Sequence, residues 1–446
     1  MTTNGTSAQT NVELWSRQAV ETLSRERGEP DWLLAWRLEH WEAAQRLSMP
    51  GSRYTQVRGL SLEELTPAPA AAIPGEAASP PRPEATAEEE GVAARYALLD
   101  GAAPRIERSS GLQPKGVLLL DVEEAVREHP ELVREALAAL PAPSDRITAL
   151  QQAFFRHGLF AVIPRDVSLE EPLKVVQEVT QADRAAFSLG VLIAEPGSSV
   201  TLLEELVSSR EVERAALHVG SLYVRVGRGA EVRVASVENL PTRVFHFARR
   251  RAVVEADGRL SWTLGWLGGR LVMSHVETVL DGPGAEVEDV QVFFTDGRQH
   301  FDLTSNLLHE KPHTRGEVNV KGALKGKSKS VFWGLIRIAP GAQGANAFQA
   351  ERSLILEDGP RSNAIPSLEI EANDVRCTHA AATSQLDEEQ IFYLRSRGLS
   401  EDEAQRTIVE GFFEPTLEKI PLESVRERMR ELLHRKWQGT AGAKAA

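Results

Sequence analysis

Short apolar segments with alternating periodicity follow one another from Gly158 to Cys377. Turn sequences such as Pro196-Gly197, Asp257-Gly258 and Asp296-Gly297 separate them, as is typical of connections between strands. Because the stretch has no convincing helical pattern, it predicts one large all-β unit over 158–377, and the candidates are a sandwich, a propeller and a β-helix. No fixed repeat is visible, which disfavours the propeller and leaves an irregular solenoid open.

Helical periodicity precedes this β unit in the N-terminal region, residues 1–157. Apolar spacing predicts helices that begin near Asp31, over Val122–Leu140 and over Ser144–His157. Between the first two, Thr66–Gly91 is dominated by Pro, Ala and Glu, a composition that predicts a disordered linker.

Helical periodicity returns in the C-terminal region, residues 378–446. Ser400 and Glu403 form a capping-box pattern, and Pro421 stands at the first position of a last helix. The expected order along the chain is therefore helices, a long β unit and helices.

Composition excludes several classes of function. The 64 acidic and 51 basic residues give a net charge of −13, which disfavours nucleic-acid binding because no basic run is present. No stretch approaches the roughly 20 apolar residues that cross a bilayer, and the N-terminus lacks a signal-peptide pattern. A single cysteine excludes an intrachain disulfide and fits a reducing compartment. We therefore expect a cytoplasmic protein.

The sequence His309-Glu310-Lys311-Pro312-His313 matches the H-E-x-x-H pattern of zinc peptidases. That chemistry needs a helix, which brings both histidines to one metal while the glutamate acts as base. Pro312 would lie inside the helix and cost about 3 kcal/mol, and the flanking sequence is typical of strands. We interpret the match as a coincidence.

The segment Gly322–Ser328 imitates a phosphate-binding loop. Its glycines are separated by three residues, whereas a P-loop requires four, and no helix follows. Lys325, Lys327 and Lys329 alternate and are predicted to share one solvated face, which commonly protects a strand edge from aggregation. We therefore expect ATP hydrolysis to come from a partner.

The stretch Asp374–Phe413 is similar to the C-terminal signature of the SufB/SufD family, which assembles iron–sulfur clusters. Further matches to the family pattern are Glu29–Leu38, Ala153–Pro164, His309–Thr314, Val320–Gly322 and Ser330–Gly334. The resemblance implies a right-handed parallel β-helix flanked by N- and C-terminal helical regions. It also implies a non-catalytic scaffold in a complex of one SufB, one SufD and two copies of the SufC ATPase.

Two departures favour the SufD side of the family. SufB-type chains carry a cysteine in the segment that here reads Asn346–Leu354, where this chain has Ala350 and Glu351. SufB-type chains also place a glutamate after the histidine that matches His379, where this chain has Ala380. SufD-type chains usually have glycine there, so Ala380 departs from that pattern too.

Cys377 and His379 are the candidate metal ligands. They lie two residues apart in an extended stretch, so both side chains point to one face with Cα atoms about 6.5–7 Å apart. Thiolate and imidazole both bind iron. The simpler interpretation is a small buried thiol and an ordinary hydrogen-bonded histidine, and for Cys377, the weaker candidate, we expect it to hold.

The family resemblance favours His379, because the matching histidine faces SufB where the nascent cluster forms. One cysteine cannot supply the four ligands that a cluster normally takes, so this chain holds no cluster alone and the site is shared with a partner. ATP would be bound by the partner ATPase, and a reduced flavin can join such complexes.

Two surfaces are expected to meet other chains. Ile408, Phe412, Phe413 and Leu417 lie on the apolar face of a C-terminal helix, which in the family docks the ATPase. The same faces are also expected to cover the last open rung of the β unit. Through its β-helix the chain is expected to form a homodimer when alone and a heterodimer with SufB.

Two functions outside the family stay as alternatives. A carbohydrate-active β-helix enzyme would need grouped acids, whereas Glu204, Glu205, Asp289 and Asp302 are scattered. A helix-turn-helix within Asp387–Phe413 would point the acidic start of its second helix at phosphates.

Overall fold

The computed structural model describes residues 14–67, 87–112, 115–420 and 423–442. The chain is mainly β, with a parallel β-solenoid of about eight turns flanked by N- and C-terminal helices, which confirms the predicted fold class. Two compact units divide the chain. The first unit comprises Met1–Gly227 and Arg243–Ala252, and the second comprises Arg228–Thr242 and Val253–Ala446.

The first unit combines the N-terminal helices with the early turns of the solenoid. Its helices are α1 Arg17–Glu26, α2 Asp31–Arg46, α3 Ala87–Glu90, α4 Val122–Glu128, α5 Pro130–Ala138 and α6 Arg146–Phe154. Its strands are β1 Thr66–Pro67, β2 Ala94–Leu99, β3 Arg105–Arg108, β4 Leu118–Asp121, β5 Leu159–Ile163, β6 Leu173–Glu178, β7 Arg184–Ala194, β8 Ser199–Val207, β9 Ala216–Val226 and most of β11, Val244–Val254. The region expected to be helical up to residue 157 therefore also contains strands.

The predicted linker Thr66–Gly91 has ordered ends. Thr66 and Pro67 form β1, which pairs with β7, and Ala87–Glu90 form α3. Residues 68–86 lie outside those that the structure describes. The linker boundaries predicted from composition were therefore too wide, because parallel pairing with β7 places Thr66 and Pro67 in a strand and Ala87–Glu90 form a helix.

The second unit contains the later turns of the solenoid and the C-terminal helices. Its strands are β10 Glu231–Glu238, β12 Arg259–Trp266, β13 Leu271–Leu280, β14 Glu286–Thr295, β15 His300–His309, β16 Arg315–Leu324, β17 Lys329–Ile338, β18 Asn346–Ile355, β19 Arg361–Ile370 and β20 Arg376–Gln385. Its helices are α7 Glu388–Ser396, α8 Glu401–Leu417 and α9 Glu423–Gly442. Among the described residues, no helix is long and apolar enough to span a membrane.

Odd and even strands of the second unit form two separate parallel sheets. One runs β19-β17-β15-β13 and the other β20-β18-β16-β14-β12-β10. Each turn of the chain contributes one strand to each sheet, and residues stack in register from turn to turn. The inward faces meet in a narrow core, since Trp262 of β12 donates to Thr278 of β13 at 3.1 Å. Inward positions therefore form columns that run along the solenoid.

Tight turns keep the columns in phase. Gly326 follows β16 with a φ of 71°, a left-handed conformation that favours glycine. A Cβ there would also lie 2.7 Å from the backbone nitrogen of Gly297, the glycine of the previous turn. The stacked glycines thus let successive connections lie close together.

The C-terminal helices lie beside the even-numbered sheet. Helix α8 contacts β14 and β16, where Lys321 Nζ donates to the Phe412 carbonyl at 2.6 Å and Lys419 pairs with Glu317 at 2.8 Å. The expectation that these helices cover the last rung was wrong. Lys321 on the outer face of the sheet and Lys419 just after α8 hold this helix at the side of the solenoid instead.

Candidate functional site

The last turn of the solenoid is open, unlike the turns before it. Almost every residue of β20 is exposed, and β19 is at most half-buried. Helix α7, which follows, buries none of its residues, and Phe392 on it is 75% exposed. We call β19, β20 and α7 the terminal face. A stacked sheet that ends without a covering element leaves its final inward-facing side chains accessible.

His379 and Cys377 both lie on this terminal face. In register, His379 stacks on Gln349 of β18 and Cys377 stacks on Ala347, so both side chains belong to inward columns. His379 is exposed and Cys377 is half-buried. Burial raises the pKa of the Cys377 thiol, so this thiol is protonated at neutral pH and is the poorer ligand. The expectation of a buried Cys377 was wrong, because no further rung covers this side chain and it is only half-buried.

One rung beneath β20, β18 carries two buried polar side chains, Gln349 under His379 and Glu351 under Ala381. Gln349 and Glu351 are 1% and 2% exposed. Burial raises the pKa of Glu351 to about 7, against an opposing hydrogen bond from Ser353. Half of this carboxyl group is therefore neutral near physiological pH.

A chain of hydroxyl groups leads to the Glu351 carboxylate. Ser330 of β17 donates to Ser362 of β19 at 2.8 Å, and Ser362 donates to Ser353 at 2.8 Å. Ser353 in turn donates to Glu351 Oε1. Each donor points toward the acid, which uses one carboxylate oxygen as the end of the chain.

An apolar rung closes the space below. Val318 and Val320 of β16 stack directly under Gln349 and Glu351 and are buried. On the opposite sheet, Gly334 of β17 makes room for the Gln349 amide, since a Cβ there would lie 2.3 Å from Gln349 Oε1. We call the inward side of β18, between this rung and the terminal face, the terminal chamber; the side chains of Gln349, Glu351 and Ser353 line it.

The predicted docking residues of α8 divide into two groups. Phe413 and Leu417 are buried inside the second unit, whereas Ile408 and Phe412 are half-buried. The buried pair lines a cavity of about 400 Å³ between α8 and α9, together with Phe294 and Trp437. Packing within the chain therefore uses part of the apolar face that we predicted for the ATPase.

Neither the H-E-x-x-H match nor the segment that imitates a P-loop adopts the structure that its chemistry would require. His309 ends β15, and its Nδ1 lies 2.8 Å from Thr314 Oγ1. Burial lowers the pKa of His309 to about 4. His313 is in a turn with a φ of 59°, so no helix presents both histidines. Lys325 is buried with Nζ 4.7 Å from the Trp437 ring, whereas Lys327 and Lys329 are exposed, so the three do not share one solvated face.

Among the described residues, Asp121, Glu123 and His157 form a cluster with metal-ligand chemistry. Asp121 Oδ1 accepts hydrogen bonds from the Tyr96 hydroxyl at 2.5 Å and the Gly158 amide at 3.0 Å, and Oδ2 lies 2.9 Å from His157 Nδ1. These contacts occupy the carboxylate and join the start of α4 to the start of β5. We interpret the cluster as structural. In the sequence, Asp121 could have been found as the residue that directly precedes a predicted helix.

Sequence reasoning also missed a buried histidine pair in the first unit. His218 Nδ1 lies 3.1 Å from His246 Nδ1, and His218 Nε2 lies 3.1 Å from Gln177 Oε1. Burial and the neighbouring His246 hold the pKa of His218 well below its ordinary value. The residues are 28 positions apart, so only the stacking of β9 and β11 reveals the pair.

Comparison with known proteins gives two family matches. The SUF system FeS cluster assembly SufBD core domain matches residues 177–412, and the SufBD protein N-terminal region matches residues 93–175.

Individual relatives extend these matches along the chain. The iron–sulfur cluster assembly protein SufD of Bacillus subtilis is 29% identical over 439 residues, which cover 94% of this chain and 97% of the relative. An iron–sulfur cluster assembly SufBD family protein of Staphylococcus epidermidis is 31% identical over 332 residues, covering 74% and 71%. Another from Staphylococcus haemolyticus is 28% identical over 440 residues, covering 95% and 93%.

Proposed function

This chain belongs to the SufBD family of iron–sulfur cluster assembly proteins, and we propose that it serves there as the SufD-type, non-catalytic scaffold subunit. It would pair with a SufB-type chain and dock a SufC-type ATPase in the cytoplasm. The nascent iron–sulfur cluster is then the cargo of the complex. Alone, the chain would form a homodimer through its β-helix.

The single observation that carries this proposal is the open terminal face. Interior strands of the second unit bury their inward side chains, whereas β20 exposes nearly all of its residues. An uncovered rung has unpaired backbone groups that invite association with another sheet. Exposed Phe392 and Tyr393 on α7 extend the apolar surface beside it. A second β-helix subunit fits this combination of an open rung and an apolar margin.

His379 gives the interface its chemistry. Its imidazole is exposed on the terminal face, where it can bind iron. The chain has one cysteine, and its thiol is partly buried with a raised pKa. The thiolate ligands would therefore come from the SufB-type chain, at the position where this chain has Glu351 or nearby.

ATP hydrolysis would come from the partner, docked near α8 and α9. Ile408 and Phe412 are the half-buried apolar residues available for that contact. Three of the four acids considered for a carbohydrate-active enzyme are not accessible for catalysis. Asp289 and Asp302 are buried, and Glu204 pairs with buried Arg250.

Co-expression with a SufB-type chain and a SufC-type ATPase tests the assembly. We expect all three chains to co-purify, and recovery of this chain without either partner would overturn the proposal.

Anaerobic purification of variant complexes tests the chemistry. His379→Ala should strongly reduce iron and acid-labile sulfide while the complex and its ATPase activity persist. Cys377→Ala should have a much milder effect. Wild-type cluster content in the His379 variant would remove this residue from the mechanism, and a severe loss in the Cys377 variant would show that the thiol is the ligand.

A further inference from the structure

Two buried oxygen atoms in the terminal chamber accept no hydrogen bond from any described residue. They are Glu351 Oε2 and Gln349 Oε1, on side chains that are almost completely buried. A buried polar atom left without a partner costs about 1–3 kcal/mol, and native structures contain few such atoms. Two on one face of one strand, two residues apart, indicate that something else fills this space.

Neighbouring contacts fix which atoms face the chamber. Ser353 donates to Oε1 of Glu351, which leaves Oε2 as the free end of the carboxylate. Gln349 Nε2 lies 3.4 Å from the Ser367 carbonyl of β19, so the amide turns its donor toward that strand and its oxygen away. When Glu351 is ionised, both chamber atoms are acceptors, and their ligand must donate hydrogen bonds or carry positive charge.

The electrostatics favour a cation over a neutral ligand. Among the described residues, burial and the Ser353 hydroxyl account for the shifted pKa of Glu351, and no positive charge contributes. A buried carboxyl group without a counter-charge avoids the cost of ionisation by staying protonated, and a neutral ligand such as water would leave it so. A cation can take the place of that proton. A bound cation would both balance the charge and coordinate the two oxygen atoms.

We propose that the terminal chamber binds one divalent first-row metal ion through Glu351 Oε2 and Gln349 Oε1, with His379 at its entrance. His379 stacks on Gln349 in register, and adjacent strands lie only about 4.8 Å apart. Carboxylate and amide oxygens suit hard divalent ions, and an added imidazole shifts the preference toward iron. The buried Val318 and Val320 close the chamber from below, so the ion enters from the terminal face.

This site deepens the proposed function by placing an iron(II) ion one rung behind the interface where a cluster would form. It rests on the proposed function for the identity of the ion, whereas the existence of a cation site rests on the chamber alone.

Metal titration of the full-length chain alone, under anaerobic conditions, tests the site. Mn²⁺ is followed by the loss of its free-ion electron paramagnetic resonance signal, and Fe²⁺ by calorimetry. We expect one ion per chain. Glu351→Gln, which keeps the size of the side chain, should weaken binding at least about tenfold, a loss typical even of outer-shell changes at metal sites. Glu369→Gln, which removes an exposed acid of β19, is the matched control and should bind like the wild type.

A second readout does not depend on affinity. Since the Glu351 carboxyl is partly protonated near pH 7, metal binding in weak buffer should release protons from the wild type and not from Glu351→Gln. Equal binding by the wild type and Glu351→Gln would mean adventitious surface binding only, and would overturn the site, as would no binding by a folded wild type.

The two proposals fail separately. A Glu351→Gln chain that loses the ion but still co-purifies with both partners confirms the site and leaves the scaffold function intact. A chain that binds the ion through Glu351 but recruits no partner overturns the scaffold function alone.

Discussion

Strands β14 and β18 carry the same pair of inward side-chain types, one acid and one amide two residues apart. In β14 the pair is Asp289 and Gln291, and in β18 it is Gln349 and Glu351. The residues occupy the same two columns in exchanged order, with Val318 and Val320 of β16 between them. Two turns of one solenoid thus repeat a polar pair in different settings.

The interior pair is bonded within itself and the terminal pair is not. Gln291 Nε2 donates to Asp289 Oδ2 at 2.9 Å, and Ser305 donates to the same oxygen at 2.6 Å. At the terminal turn, Glu351 binds Ser353 instead, and Gln349 turns toward β19. The acid and the amide thus bond each other in the interior turn, whereas at the terminal turn each bonds a different neighbour, Glu351 on its own strand and Gln349 on β19. Unfavourable local arrangements of this kind concentrate at functional sites.

Among substitutions of the polar pairs, removing the interior acid should give the largest loss of stability. Asp289→Ala would leave the Gln291 amide and the Ser305 hydroxyl without their shared acceptor in the core, and would leave a cavity. We expect the free energy of unfolding to fall by about 3 kcal/mol, measured by urea titration. Glu369→Ala on the exposed side of β19 is the control and should change little. A loss below about 1 kcal/mol for Asp289→Ala would break the comparison.

Neutralising the terminal acid should raise the free energy of unfolding, whereas removing the interior acid lowers it. The pKa of Glu351 is raised to about 7 from an ordinary 4.5, so the folded chain binds more protons than the unfolded chain between these pH values. Its stabilising contribution is complete below pH 4.5 and is lost as pH rises through about 7. Glu351→Gln should therefore raise the free energy of unfolding by about 2 kcal/mol at pH 8 without metal, and change it little at pH 4.5.

Urea titrations of the wild type and Glu351→Gln at pH 8 and pH 4.5, with a chelator present, measure this change in the free energy of unfolding. A loss of stability at pH 8 would show that the carboxylate is compensated by the chain itself, as Asp289 is.

The histidine pair extends the comparison to the first unit. The pKa of His218 is held well below its ordinary 6.5, so the unfolded chain takes up the proton first as pH falls below that value. Between pH 7 and 5.5 the wild type should lose about 1 kcal/mol more stability than His218→Gln. Thermal or urea unfolding across this range measures the difference, and parallel pH profiles would exclude His218 as an acid-sensitive group.

The smallest effect on stability is expected on the terminal face itself. Phe392 is 75% exposed on α7, so Phe392→Ala should change the free energy of unfolding by less than about 0.5 kcal/mol. The same variant should weaken co-purification with the SufB-type chain. Phe301→Ala is the matched interior control, fully buried in β15, and should cost about 3–5 kcal/mol. A large loss of stability from Phe392→Ala would mean that α7 packs on its own chain.

Much of the site could be found from local pattern. The alternation in Arg376–Gln385 places Cys377 and His379 on one face, and the structure has both in inward columns of β20. The burial of Cys377 could not be found in the same way, because it depends on whether another rung follows. The position of α8 also escaped prediction, because its apolar stripe fits the end and the side of a solenoid equally well.

From Val122 onward, the order of helices, strands and turns follows from local sequence, since alternation, capping residues and turn glycines act over a few neighbouring positions. The sequence also determined that one cysteine cannot hold a cluster alone. The hydrogen-bonded chain of Glu351, Ser353 and Ser362 depends on tertiary contacts, as does the position of the acid one rung behind an open face. Parallel stacking sets those neighbours, because each turn brings residues about 30 positions apart into register, and no local pattern records which residues will share a column.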